Sequence, residues 1–286
     1  MAIANFIPHI WTAKFLTRLR KALVFANVVN NDYEGEISGA GDSVTIAEIG
    51  PVTINDYTRN SDITWQTLDD AAKVLVIDQA KYYAFDVDDV DAAQAKPSVM
   101  DAAMDEAAYS MADTVDQHIA GLYGGAGITN STNLGINTAA GDVAISAGNV
   151  VTYISNAARY ADESNCPVND RFLIVPPWFN QDMVQAEIGV GLTDVPKAKS
   201  EEGAQRGYIG HFYGFDIYVS NNVSNDGTTW RIMFGHRSAI SFAGQVTKKE
   251  AVRREDRFGD GIKGLYVYGS KVVRPAALGT LYAAEG

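Results

Sequence analysis

Residues 256–274 read DRFGDGIKGLYVYGSKVVR, and two readings of this stretch lead to two different folds. Gly259, Gly261 and Gly264 match the G-x-G-x-x-G spacing of loops that hold the phosphates of a dinucleotide. Such a loop needs a strand before the glycines and a helix after them, so that the pyrophosphate meets a helix N-terminus. Here Leu265–Val273 alternates like a strand, and the motif sits near the end of the chain with no following βα unit. The phosphate cradle fails on that point. The stretch reads instead as a flexible turn flanked by arginines, running into a long strand.

Working outward, the preceding segment TKKEAVRREDRF carries Lys248, Lys249, Arg253, Arg254 and Arg257. Further upstream, FDIYVSNNV, TWRIMFG and AISFA read as short strands, and RFLIVPP at Arg171–Pro177 reads as a buried one. A helix is expected near Ala147–Asp162 and another from Pro177, with Trp178 and Phe179 at its head. Gly189–Gly207 is polar and glycine-containing, and Gly124–Gly148 is rich in small residues; both read as loops.

In the first half, Ser98 opens a long helix. Met100, Met104, Ala107, Met111, Val115, Ile119 and Leu122 form an apolar stripe at helical spacing, and Ser98 with Asp101 makes a capping pattern. Lys73–Val90, KVLVIDQAKYYAFDVDDV, is the strongest strand signal of this half and reads as one strand covered on both faces for part of its length. Before it, residues 31–70 hold short β-prone runs broken by Gly35, Gly39, Gly41 and Gly50-Pro51. This is a long hairpin poor in large aliphatics, better suited to lying on another subunit than to folding over a core of its own. From Ile10 to about Asn27, Trp11, Phe15, Leu19 and Leu23 recur every four residues, with Lys14, Arg18 and Lys21 on another side. That is an amphipathic helix with a basic stripe, read as packing on protein in preference to a membrane surface.

Composition narrows the function. The chain has 286 residues, 47% apolar, enough for one large domain or two modest ones. With 35 acids against 23 bases the net charge is −12, which argues against a dedicated nucleic-acid binder. The sole cysteine, Cys166, allows no intrachain disulfide or cysteine zinc site and reads as a buried thiol. Signal-peptide and membrane-spanning patterns are missing, so a soluble protein is expected. His9, His118, His211 and His236 form no metal-binding pair, and there is no G-x-S-x-G elbow, so no enzyme signature and no cofactor is called for. The acids Asp86, Asp88, Asp89 and Asp91 lack the glycine and distal glutamate of a calcium loop. They read as a solvated corner, or as partners for a neighbour's arginines, those at Arg253–Arg257 among them.

Taken together, IPHIWTAKFLTRLRKALVFANVVNNDYEGEI, the GDSVTI hairpin, LVIDQAKYYAFDVDDVD, FLIVPPWF, GFDIYVSNNV and RFGDGIKGLYVYGSKVVRP resemble major capsid proteins of tailed bacteriophages. The likeness spans nearly the whole chain and rests on the order of several segments. It implies an α+β fold of the Hong Kong 97 type: an N-terminal arm (1–31), an extended loop (32–72), a peripheral domain with a long spine helix (73–124 and 244–286) and an axial domain (125–243). It further implies a virion shell built from pentamers and hexamers of this chain and assembled in the host cytoplasm. A portal protein, a separately encoded scaffolding protein and weakly contacted packaged DNA would be its partners. Subunit contacts are expected at Arg253, Arg254, Arg257, Lys263, Asp86, Asp88, Asp89, Lys14 and Arg18. Some members crosslink a lysine of the extended loop to an asparagine of the peripheral loop. This chain has no lysine from Asp32 to Ala72 and no asparagine from Lys248 to Gly264, so a non-covalent shell is expected. The alternatives are an encapsulin-like compartment shell and, more remotely, a soluble nucleotide-binding enzyme.

Overall fold

In the computed structural model, Gly259–Val272 is one continuous strand in the middle of a three-stranded antiparallel sheet. The structure describes residues 23–32, 43–49, 53–57, 59–60, 62–63, 65–66, 70–88, 98–138, 141–186, 207–253 and 259–286. Of the basic helix read over Ile10 to about Asn27, residues 10–22 lie outside them, as do residues 189–206 of the loop read over Gly189–Gly207 and residues 254–258. In chain order the elements are α1 (Phe25–Val28), β1 (Ser43–Ile49), β2 (Asp70–Val76), β3 (Gln79–Asp88), α2 (Ser98–Ala120), β4 (Val143–Ile145), α3 (Val150–Glu163), β5 (Arg171–Val175), α4 (Pro177–Gln185), β6 (Tyr208–Phe212), β7 (Phe215–Val219), β8 (Trp230–His236), β9 (Ile240–Arg253), β10 (Gly259–Val272) and β11 (Leu278–Glu285). They form the sheets β1-β2, β3-β10-β9 and β4-β11-β8-β5-β7-β6.

The glycines of the opening stretch therefore belong to strand β10, and the turn read there is corrected. Gly264 lies opposite Tyr83 of β3, and a Cβ on it would sit 2.6 Å from Tyr83 Cε1. The aromatic ring occupies the space that a side chain at 264 would need, so the glycine serves packing across the ladder. Beyond it the register of β9 slips between Leu265 and Tyr266, leaving Thr247 as an extra residue that bends the ribbon.

The two faces of β10 bury different things. Tyr266 and Tyr268 face the main core, where His118 of α2 meets the Tyr268 ring edge-on at 5.3 Å and Phe242 of β9 lies alongside. Val267, with Ala243 and Val273, faces the hairpin and forms a second, small core with Val44, Ile46, Leu75 and Ile77. The hairpin thus folds over a core of its own subunit at its base, contrary to the sequence expectation. Four alternating aliphatics suffice because the sheet supplies the opposing surface.

Lys73–Val90 is also two strands. β2 ends at Val76 and pairs with β1, whereas β3 begins at Gln79 and pairs with β10. A period of two reports which face a residue occupies and is silent on its partner strand. In the subunit one face of this stretch is open, with Val74, Val76 and Tyr82 exposed.

Helix α2 carries the expected stripe: Met104, Met111, Val115 and Ile119 are buried, joined by Ala108 and Ala112. The same core continues through Ile154 and Ala157 of α3, Phe179 and Met183 of α4 and the wholly buried β5, whose RFLIV run pairs parallel with β7 and antiparallel with β8. The last strand, β11, enters this six-stranded sheet between β4 and β8. The end of the chain is thus hydrogen-bonded to strands of the 125–243 segment.

Arg171 opens β5 and is buried. Its guanidinium donates to the Cys166 carbonyl at 2.5 Å and the Pro167 carbonyl at 2.7 Å, and meets the Asp162 carboxylate at 2.8 Å. It thereby satisfies polar groups just past the end of α3. Arg171→Met leaves those carbonyls without a donor, and about 2–3 kcal/mol of subunit stability should be lost. Urea denaturation of dissociated subunits measures this; an unchanged midpoint would refute the role assigned.

Candidate functional site

The surface features with a chemical argument lie on the hairpin and on the three-stranded sheet. β1 and β2 run antiparallel from Ser43↔Val76 to Ile49↔Asp70, with their lower part seated on β10. Two lysines tie the seat in opposite directions: Lys73 Nζ donates to the Val273 carbonyl, and Lys271 Nζ donates to the Val74 carbonyl at 2.8 Å. Beyond the paired strands the chain projects. Thr53 N–H still donates to Gln66 Oε1 at 2.8 Å across the hairpin, yet Ile54 is 89% and Trp65 93% exposed, and Tyr57 and Ile63 are also largely exposed. Large apolar side chains exposed close together in the chain and buried in no core mark a surface that meets another molecule.

The end of the three-stranded sheet carries the charges singled out from sequence. Asp88 and Asp86 stand opposite Gly259 and Gly261 on one side of β10, and Arg253 stands opposite Asp260 on the other. The acids of β3 and the base ending β9 are therefore two strand spacings apart, about 10 Å, in one subunit. Lys263 pairs with Glu250 at 2.7 Å, both half-exposed, a contact of little stabilising weight. Lys14, Arg18, Asp89, Arg254 and Arg257 lie outside the described residues.

A recess of about 230 Å³ opens where Gly261 lacks a side chain, between Asp86, Val252 and Lys263. It is smaller than ordinary ligand clefts of roughly 300–1,000 Å³. The backbone of Gly259, Gly261 and Gly264 is engaged in ladders, on both sides of the strand for Gly261 and Gly264, which leaves no nest of free amides for a phosphate. Among the described residues no group of three or more His, Cys, Asp or Glu is placed to hold a metal ion, and no helix is long and apolar enough to cross a membrane. Cys166 is a buried free thiol whose pKa burial pushes up. The His118 pKa is lowered by burial, which outweighs the opposing pull of Asp78.

Sequence reasoning missed three features. The lysine ties needed knowledge of which strand crosses which. The exposed tip carried a signal, Ile54, Tyr57, Ile63 and Trp65 in an otherwise polar segment. So did Asp116, an acid directly beside Val115 on the buried stripe of α2 and only 1% exposed.

The comparisons with known proteins agree with a protein made to contact copies of itself. Residues 51–281 match the family model described as phage capsid protein. A solved structure from Mycobacterium phage Che8 is 28% identical with a TM-score of 0.66, covering 90% of each chain. The capsid structure of the cyanophage P-SCSP1u has the same TM-score at 20% identity, covering 90% of this chain and 86% of that one. A virus-like particle from Pyrococcus furiosus, at 12% identity and a TM-score of 0.56, covers 95% and 97% and shows a common fold alone. Among curated proteins no sequence matches. The class is that of shell-forming structural proteins with the Hong Kong 97-type α+β fold. Within it, this chain belongs to the phage capsid protein family: it is a major capsid protein, a component of the virion.

Proposed function

We propose that copies of this chain close into an icosahedral shell of pentamers and hexamers around the double-stranded DNA of a tailed bacteriophage, each projecting its hairpin onto a neighbour. The observation that carries this reading is the contrast within the hairpin, whose base is seated on its own sheet while Ile54 and Trp65 at the tip are almost wholly exposed. A tip with no core of its own gains by burial against a second copy. The charged end of the three-stranded sheet, with Asp86, Asp88 and Lys263 on or beside β10 and the basic residues from Arg253 onward, supplies polar contacts between subunits in this reading. With a net charge of −12, contact with packaged DNA is weak and indifferent to sequence. A portal and a scaffolding protein complete the assembly, which takes place in the host cytoplasm.

The shell is held without covalent crosslinks, because the extended loop offers no lysine and residues 248–264 no asparagine. Purified particles boiled in detergent should run as monomers on a denaturing gel; a ladder of oligomers would overturn this. Negative-stain microscopy of the expressed protein, with and without a scaffolding partner, tests the assembly itself. Closed particles are expected, and a protein that stays monomeric under both conditions contradicts it.

A further inference from the structure

Strand β8 belongs to the six-stranded sheet and β9 to the three-stranded one, and the single 3-10 turn Arg237–Ala239 carries the chain across between them. The chain crosses back from β10 to β11 through Pro275–Ala277. The two crossings are tied together at one atom: the Ala239 carbonyl accepts from Val273 N–H at 2.8 Å and from Arg274 N–H at 3.1 Å. The N-terminal segment reaches the same corner, where Arg237 Nε donates to the Val29 carbonyl at 3.3 Å.

One side chain caps the first crossing. His236 Nδ1 accepts from Ser238 N–H at 3.1 Å and lies 2.8 Å from Ser238 Oγ. A ring nitrogen that accepts from an amide carries no proton, so the neutral imidazole has its hydrogen on Nε2. A second proton has only Nδ1 to go to, and there it would point at the Ser238 N–H. The Ser238 hydroxyl can turn from donor to acceptor; the backbone N–H cannot. Protonating the ring and keeping the cap therefore exclude each other, whatever surrounds the ring.

From this geometry we propose that His236 is a proton-released clasp on the passage between the two sheets: neutral, it holds the turn Arg237–Ala239 through the Ser238 amide, and protonated, it lets both crossings loosen together. The charged groups about the ring are Arg171, opposite His236 in the β5–β8 ladder, Asp170 just before it, Arg237 in the turn itself and Arg274 at the second crossing. Burial, the largest influence, lowers the His236 pKa from its ordinary 6.5; Asp170 opposes that, and Arg274 and Arg171 add to it. This is the direction the cap itself demands. Once the turn opens, the ring returns to water and to its ordinary pKa. The closed state thus binds fewer protons than the open one between the lowered pKa and 6.5, so the clasp is fully closed above 6.5 and weakens as pH falls below it.

Nitrogen-15 NMR on dissociated full-length subunits labelled at histidine reads the first half of the proposal. At pH 8 the His236 ring, identified by the signals that vanish in His236→Asn, should show a bare Nδ1 and a protonated Nε2. Hydrogen exchange corrected for intrinsic rates reads the second half. As pH falls from 6.5, the opening equilibrium at the Ser238 amide should rise by up to about tenfold per pH unit, then level off once the capped ring is itself protonated. Val273 and Arg274, bonded to Ala239, should follow it, and the amides of Ile232 to Phe234 inside β8 should stay flat. His236→Asn keeps a capping acceptor that does not titrate, and should remain closed with no slope. His236→Ala should exchange faster at Ser238 at every pH, also without a slope. A protonated Nδ1 at pH 8, a flat wild-type profile, a slope confined to Ser238, or a slope that survives in His236→Asn overturns the proposal. The wild-type measurements decide by themselves if a variant does not fold. The readout concerns the subunit alone, so it stands or falls separately from shell assembly.

Discussion

Replacing Ile54 and Trp65 together by serine leaves the subunit as stable as its parent and abolishes closed particles. Neither side chain touches the folded core, so the thermal midpoint of the isolated subunit should move by less than about 1 °C. Burying an aliphatic or aromatic side chain of this size contributes about 1.5–3 kcal/mol. Losing two of them at a contact weakens it by about 3–6 kcal/mol, at least a hundredfold in association constant. Every subunit of a closed shell would make that contact, so the penalty recurs around the particle. Sedimentation and negative-stain imaging at matched concentration check the outcome. Normal particle yield from the double variant would mean the tip is not an assembly contact.

The second large effect is expected at Gly269. The end of β2 crosses β10 here, and an added Cβ would strike the Val76 carbonyl oxygen and come within 3.0 Å of Ile77 Cα. Both obstacles are backbone, so neither can rotate away. Gly269→Val should therefore force the hairpin off its seat, separating Leu75 and Ile77 from Val267 and breaking the reciprocal ties of Lys73 and Lys271. Overpacking of this kind costs about 3 kcal/mol. For a chain of this size that is a fall of roughly 6–12 °C in melting temperature, measured by calorimetry on dissociated subunits. Shell formation should fail as well, because a displaced base misdirects the tip. A variant that melts within a degree of the parent would show that the crossing is looser than the structure places it.

The two variants separate what the hairpin does. The tip change removes a contact made only between copies, and the base change removes one made within the subunit.

Much of this was legible in the chain. The stripe from Met104 to Ile119 predicted the spine helix, because a 3.6-residue period leaves one continuous apolar line on a helix that packs along its length. RFLIV predicted a central strand, since a strand buried on both faces has no polar alternation to show. The family resemblance drew on the order of such segments, and the match over 51–281 upholds it. Harder to read were the junctions. The break at Ile77–Asp78 shows locally only as the polar pair Asp78-Gln79, after which strand-like sequence resumes, and a period of two does not say that β2 and β3 part into different sheets. The glycines 259, 261 and 264 looked like a bend because the β3 residues they stand opposite, Asp88, Asp86 and Tyr83, lie more than 170 residues away in sequence, and only Tyr83, packed against Gly264, shows why a glycine is needed there.

By itself, then, the sequence determined the long helix, the buried strand β5, the apolar stripe that faces the core and the family, because periodicity and composition are properties of a segment and its solvent preference. Only the tertiary structure decided that the hairpin base is seated on its own sheet, that Gly269 is where two backbones cross, and that Asp116 holds the N-terminal segment. Each of these depends on contacts between segments far apart in the chain. A lone acid beside an apolar stripe acquires its chemistry from the amides brought to it, and those come from residues 90 and more positions away.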